Sequence, residues 1–178
     1  LESSLRALIA GEPNLIACAA NMSALLYWSL PDLNWVGFYL LDDASGDLIV
    51  GPFQGKPACV RIPLSKGVCG AAASQRRTLV VADVHASPGH IACDSASNSE
   101  VVVPVVAGGR LLGVLDLDSP VLNRFDGADA RGGLIDIGLH VLRFQARDDF
   151  ILLHARAFGD IELLQASRGF ARHRRFAL

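Results

Sequence analysis

Residues 101–106 (Val-Val-Val-Pro-Val-Val) and 111–118 (Leu-Leu-Gly-Val-Leu-Asp-Leu-Asp) flank the short link Ala107-Gly108-Gly109-Arg110. Two β-prone runs joined this closely pair antiparallel, because a parallel pair needs a crossover of a dozen or more residues. Side chains alternate along a strand, which places Leu111, Gly113, Leu115 and Leu117 on one face. Leu112, Val114, Asp116 and Asp118 take the other. That second face starts apolar and ends in two carboxylates, about 7 Å apart at the backbone. Two acids on one face of a buried strand predict a polar pocket; a solvated strand end is the plainer alternative.

The rest of the pattern is read around this hairpin. Residues 13–30 predict a helix, with Pro13 in its first turn, Leu15, Cys18, Ala19, Met22 and Leu26 at helical spacing, and Pro31 closing it. Cys18 is core filler on this stripe. Residues 34–41 are aromatic-rich and β-prone, with Trp35 and Tyr39 on one face and Phe38 on the other. After a turn at 42–47, Leu48–Val50 is read as a second strand, and Gly51, Pro52, Gly55 and Pro57 as a loop. Cys59–Ile62 and Thr78–Val81 read as short strands and Gly67–Gln75 as a short helix. Residues 83–100 form a long polar loop holding His85, His90 and Cys93, a length more typical of function than of mere connection. A helix over 128–142 is weakened by Gly132, Gly133 and Gly138. The order predicts an α+β domain with a mainly antiparallel sheet.

A chain of 178 residues, 51% hydrophobic, with mean hydropathy +0.36, has material for one ordinary core and is not disordered. A formal net charge of −2 provides no field for nucleic acid or an anionic membrane. Residues 143–178 are the exception, with seven Arg against four acids. They read as solvated amphipathic helices, a phosphate-binding patch being the lesser alternative. No uninterrupted apolar span or secretion signal is present, so a cytoplasmic location is expected. Residue 1 is Leu, so the natural start is expected to lie upstream. Four cysteines in such a protein are core fillers, metal ligands or redox groups. Lys56 follows Gly55, but the Gly-x-x-x-x-Gly-Lys-Ser/Thr phosphate loop is absent.

The informative stretches are GPFQGKPACVRIPLSKGVCG (51–70), VADVHASPGHIACDSASNSEVVVP (81–104) and GVLDLDS (113–119). Over about residues 10–142 the chain resembles the free methionine-(R)-sulfoxide reductases, thiol oxidoreductases built on a GAF domain. The resemblance implies a GAF-like domain over 1–142, its sheet covered by helices on one face and holding a ligand pocket on the other. Residues 143–178 are then an extension without counterpart. It implies reduction of free L-methionine-(R)-S-oxide through a sulfenic acid and an intramolecular disulfide. By the same resemblance Cys93 is the nucleophile, Cys59 a resolving cysteine and Cys69 an alternative resolver. Glu100, Asp116 and Asp118 would bind and protonate substrate, and Cys18 has no counterpart. Thioredoxin is the implied external reductant, with no bound cofactor, and a homodimer is compatible with it. Ser87 departs from the larger aromatic common in the family, implying a looser closure over substrate.

The residue types suit that chemistry. A thiolate attacks sulfoxide sulfur once the oxygen is protonated or hydrogen-bonded, leaving a cysteine sulfenic acid that condenses with a nearby thiol. Clustered carboxylates keep one acid protonated near neutral pH, since like charges raise a pKa. The same acids pair with the ammonium of a free amino acid, which peptide-bound methionine lacks. Thiol activation is assigned to backbone N–H groups of 93–99 in preference to His85 or His90. Trp35 is a candidate aromatic wall for the thioether. Three rivals compete: a non-catalytic GAF sensor; a zinc site from Cys59, Cys69, Cys93 and a histidine, disfavoured by the missing close Cys pairs; and buried structural cysteines.

Overall fold

The structure, a computed structural model, describes residues 1–86, 96–127 and 129. Ser87, His90, Cys93, the helix expected over 128–142 and the extension 143–178 lie outside the described residues, Asp129 excepted. Helix α1 (Glu2–Ile9) and helix α2 (Leu15–Ser29) precede strands β1 (Trp35–Leu41), β2 (Leu48–Gly55) and β3 (Arg61–Ile62). Helix α3 (Gly67–Gln75), strand β4 (Leu79–Val81), a 3-10 turn at Val84–Ala86 and strands β5 (Ser99–Ala107) and β6 (Arg110–Ser119) follow. The six strands form one sheet in the order β3-β2-β1-β6-β5-β4, every neighbouring pair antiparallel. This is the α+β arrangement the hairpin demanded. None of the described helices is long and apolar enough to cross a membrane.

Each face of the sheet has its own apolar cluster. On one, Leu5 and Ile9 of α1 and Cys18, Met22 and Leu26 of α2 pack on Val36, Phe38, Val101, Val103, Leu115 and Leu117. On the other, Trp35 and Tyr39 join Val102, Leu111 and Val114 beneath Val68, Cys69, Ala72 and Ala73 of α3. Helices α1 and α2 thus share one face, and α3 roofs the other. Helix α2 is capped by Asn14, whose side chain accepts from the Ala17 N–H at 3.0 Å. Pro13 therefore precedes the cap instead of opening the first turn. Sequence pattern had missed α1, which has no side-chain cap and buries only Leu5 and Ile9, one turn apart.

Two irregularities change the strand reading. β2 runs on through Gly51 and Pro52, which had been assigned to a loop. Tyr39 pairs with Val50 while Gly37 pairs with Phe53, so β2 carries one extra residue opposite Phe38. A bulge admits a proline that a regular ladder excludes, and the Pro52 carbonyl accepts from Ser23 Oγ at 3.1 Å. A second register shift lies between Val105 and Val106, opposite Gly113 and Leu111. It reverses the expected alternation there: Leu111 joins the α3 face and Leu112 the α2 face. From Val114 onward the expected faces hold. Conversely, β3 is shorter than read, beginning at Arg61, so Cys59 lies before it.

Gly113 makes the second shift feasible. Its φ is +155°, and a Cβ there would collide with the Tyr39 carbonyl oxygen and approach Leu40 Cα to 2.9 Å. Gly113→Ala is expected to destabilise the domain by about 3 kcal/mol, the upper part of the single-substitution range. Chemical denaturation measures this, and an unchanged midpoint would refute the account.

Candidate active site

The register assembles the acids. Glu100 on β5 lies directly opposite Asp118 on β6, and Asp118 lies opposite Trp35 on β1. Asp116 faces Val102 on one side and Gly37 on the other. Since directly opposed residues share a face, Glu100, Asp116, Asp118, Trp35 and Tyr39 all point to the α3 side. Glu100 and Asp116 are each only 5% exposed, whereas Asp118 is half-buried at the strand end. The acids expected on the Val114 face therefore do gather there, as a largely buried cluster.

Cys69 completes this floor from above. It lies in the first turn of α3, which Gly67 opens, and Gly70 next to it permits close approach to the Pro63–Leu64 backbone. Its Sγ is 3.2 Å from Asp116 Oδ2 and 3.8 Å from Glu100 Oε1, so its single S–H donates to Asp116 with Glu100 as the more distant alternative acceptor. One ligand atom from each of Cys69, Glu100 and Asp116 falls within 4.8 Å of the others. The zinc set imagined from Cys59, Cys69 and Cys93 is a different grouping, and nothing in the described geometry draws Cys59 into this trio. Asp116 Oδ1 is buried with no hydrogen-bond partner among the described residues. A buried, unsatisfied acceptor is costly unless protonated or met by a ligand donor.

Electrostatics follow from this burial. The Glu100 carboxyl is pushed up from 4.5 to about 8, first by loss of water and then by the charge of Asp118. Asp116 is raised well above its usual value, again by burial first and by Glu100 second. Like-charge repulsion, the cause inferred from sequence, is thus the second contribution and dehydration the first. Burial, followed by Asp116 and Glu100, also drives the Cys69 thiol well above its ordinary range, so it stays protonated. The Tyr39 hydroxyl is raised by burial and by Asp116, Cys69, Asp118 and Glu100 in turn. Tyr39 therefore belongs to the same polar cluster. Sequence reading had left it in the core; the signal was its place on the Trp35 face once 35–41 is paired against 111–118.

Trp35 forms the wall. Its ring stacks on Tyr39 with centroids 5.6 Å apart and on Phe53 at 5.4 Å. Its Nε1 donates to the Lys56 carbonyl at 3.2 Å. Trp35 and Tyr39 are four residues apart along an extended strand, so their rings meet only by lying over Gly37. A Cβ at Gly37 would fall 2.6 Å from the Trp35 ring and collide with Phe53. Cys59 is half-buried against the same apolar cluster and is disulfide-bonded, while Cys18 and Cys69 are reduced. His85 is exposed, with Nε2 2.9 Å from Asn98 Oδ1.

A sequence profile of the GAF domain matches residues 25–132. Over 132 residues the chain is 53% identical to the free methionine-R-sulfoxide reductase of Escherichia coli K12, covering 74% of this chain and 79% of that one. The protein of the same name from Saccharomyces cerevisiae is 46% identical over 125 residues, 67% of this chain and 69% of its own. The X-ray structure of free methionine-R-sulfoxide reductase from Neisseria meningitidis, in complex with its substrate, superposes with a TM-score of 0.77. It is 43% identical and the match covers 81% of this chain and 84% of that one.

The raised carboxyls make stability pH-dependent with a definite sign. The folded state holds protons that the unfolded chain releases above about pH 4.5, so stability declines as pH rises from there through about 8. Asp116→Asn is expected to melt near the parent at pH 5.5, and several degrees higher at pH 8.5. Thermal melts across that range decide it; a variant less stable at pH 8.5 would contradict the assignment.

Proposed function

Because the chain belongs to the GAF-domain free methionine-R-sulfoxide reductases, we propose a mechanism in which Cys93 attacks the sulfoxide sulfur of free methionine-(R)-sulfoxide. The activity is reduction of that substrate to methionine. The observation that carries the mechanism is the dry acid pair Glu100–Asp116, whose carboxyls hold their protons near neutral pH beside an aromatic wall. Sulfoxide oxygen is a poor leaving group until it receives a proton, and we assign Glu100 as the donor.

The steps balance. The Cys93 thiolate bonds to sulfoxide sulfur while the acid protonates its oxygen. The oxygen passes to the cysteine, giving methionine and a Cys93 sulfenic acid. The Cys59 thiol displaces water from that sulfenic acid and forms the Cys59–Cys93 disulfide. A thioredoxin dithiol then reduces the disulfide and is itself oxidised. The net change consumes one sulfoxide and one dithiol and yields methionine, water and one disulfide. No bound cofactor or metal is needed. The disulfide at Cys59, with Cys18 and Cys69 reduced, supports assigning Cys93 as its partner. Cys69 remains the alternative resolver, but its buried, protonated thiol favours Cys59 as the first.

Recognition uses the same face. Asp118, half-buried at the strand end, pairs with the substrate ammonium, with unsatisfied Asp116 Oδ1 behind it. Trp35 packs on the S-methyl group, since sulfur and its substituents sit well against aromatic rings. Peptide-bound methionine sulfoxide presents an amide where the ammonium should be and leaves buried acceptors unpaired. We assign the enzyme to the cytoplasm, where thioredoxin-type dithiols are reduced.

Purified protein, free methionine-R-sulfoxide and thioredoxin with its reductant form the test. Wild type is expected to produce methionine over many turnovers, and Cys93→Ala none. Cys59→Ala is expected to carry out the first reduction near the parental rate and slow thioredoxin-supported recycling at least about tenfold. Full turnover by Cys93→Ala would end the assignment.

A further inference from the structure

We propose that Phe53 is a positioning residue for substrate selection: its ring braces the Trp35 indole and so sets which S-alkyl group the pocket accepts. This deepens the reading of Trp35 as the wall against the S-methyl group, and rests on it. The bulge in β2 puts Phe53 in place. Leu48 and Val50 lie on the α3 side, paired with Leu41 and Tyr39. Strict alternation would carry that face on to Pro52 and turn Phe53 toward α2. The extra residue resets the phase, so Phe53 comes opposite Gly37 and packs in the α3-side cluster. Ser23 Oγ, reaching the Pro52 carbonyl from α2 at 3.1 Å, ties down the residue beside it.

The indole lies across two glycine gaps. A Cβ at Gly55, directly opposite Trp35, would stand 2.8 Å from Trp35 Cδ1. A Cβ at Gly37 would stand 2.6 Å from Cη2, at the far end of the ring system. The Nε1 bond to the Lys56 carbonyl holds the end near Gly55. A single hydrogen bond there leaves the plane of the indole free to pivot. Rings fix that plane: Phe53 stacks at 5.4 Å and 17°, and Tyr39 at 5.6 Å and 26°. Phe53 Cβ borders the same Gly37 gap that receives Cη2, so removing this ring opens space beside the end that pivots. Tyr39 also serves the acid cluster, whereas Phe53 acts on substrate through Trp35.

A braced indole presents a fixed surface that a methyl group meets and a longer alkyl chain overfills. Rigid apolar pockets separate substrates differing by one methylene by roughly tenfold or more. Losing the brace lets the wall yield, which weakens contact with methyl and makes room for ethyl.

Reduction of methionine-R-sulfoxide and of ethionine-R-sulfoxide with saturating thioredoxin tests this. Phe53→Leu is expected to raise KM for methionine-R-sulfoxide about tenfold, the upper worth of one aromatic pair, with kcat within about threefold. The ethyl-to-methyl ratio of kcat/KM should rise about tenfold. Phe53→Tyr, which keeps the ring, should restore both, and Phe53→Met repeats the test should the leucine variant fail to fold. Leu79→Ala removes apolar bulk from the same cluster on edge strand β4, and should lower Tm while leaving KM and the ratio parental. A second readout needs no turnover. The chain has two tryptophans, and replacing the 80% exposed Trp28 by Phe leaves Trp35 as its one indole. In that background Phe53→Leu should weaken the near-ultraviolet circular dichroism of the indole, and Leu79→Ala should not. Parental KM and ratio in Phe53→Leu, an unchanged indole spectrum, equal shifts in Leu79→Ala, or no recovery in Phe53→Tyr would overturn the brace. Trp35→Leu separates the two levels. If it shifts KM and the ratio while Phe53→Leu does not, the brace alone falls; if it leaves both parental, the wall falls and the brace with it. A parent protein that reduces neither sulfoxide would overturn the functional reading itself.

Discussion

The site depends on removing two carboxyl groups from water without giving them a cation. Among the described residues, Glu100 and Asp116 have the Cys69 thiol, the Tyr39 hydroxyl, each other and the half-buried Asp118 as polar company, and no Lys or Arg reaches them. Such groups resolve the dehydration penalty by keeping their protons. Protonation in turn makes them useful, since a carboxylic acid that survives to neutral pH is both a proton donor and a neutral group tolerable in a core. Central strands are the place to hold such a pair. β5 and β6 are each paired on both sides, so neither acid sits on an edge strand.

Much of this was legible before any coordinates, and the reason is periodicity. The alternation Val114-x-Asp116-x-Asp118 places the acids on one face whatever the details of the fold, and the Gly108-Gly109 link commits the strand to an antiparallel partner. Glu100 was harder. Its opposition to Asp118 depends on register, and register here includes an extra residue near Gly113 that pattern alone did not reveal. The same bulge moved Leu111 and Leu112 to the faces opposite those expected. Gly51-Pro52 failed likewise, because a proline in a strand reads as a terminator unless a bulge is known to be there. The sequence features lost were thus those in which one residue breaks the period.

The place of Tyr39 in the site, and the contact of Cys69 with its acids, were obscured for a different reason. Tyrosine on an apolar strand and cysteine on an alanine-rich helix are ordinary core residues by composition. Their polar ends matter only because β1 sits beside β6 and α3 lies across both, which are relations of tertiary structure. Gly37 carries the same lesson in reverse. It reads as a weak point in an aromatic strand, yet its missing side chain is the space that the Trp35 ring occupies to reach Tyr39. A site made of stacked rings along a single strand needs such a gap, since neighbouring side chains on that face would otherwise hold the rings apart.

Which physical cause dominates the raised acidity decides whether the acid still works once substrate arrives. If repulsion from Asp118 were the main source, an incoming ammonium paired to Asp118 would cancel it. Glu100 would then fall toward its ordinary value and lose the proton when the sulfoxide oxygen needs it. Burial is the larger cause, and under the proposed binding mode it would change in the opposite direction, since substrate would displace water from beside the acids. Ammonium binding therefore removes the lesser contribution while ligand burial strengthens the greater one. Under the proposed roles, the half-buried acid would receive the charge of the amino acid and the dry acid behind it would retain its proton. Separating the two tasks between a strand end and a strand interior lets one carboxyl cluster both recognise a cation and donate a proton.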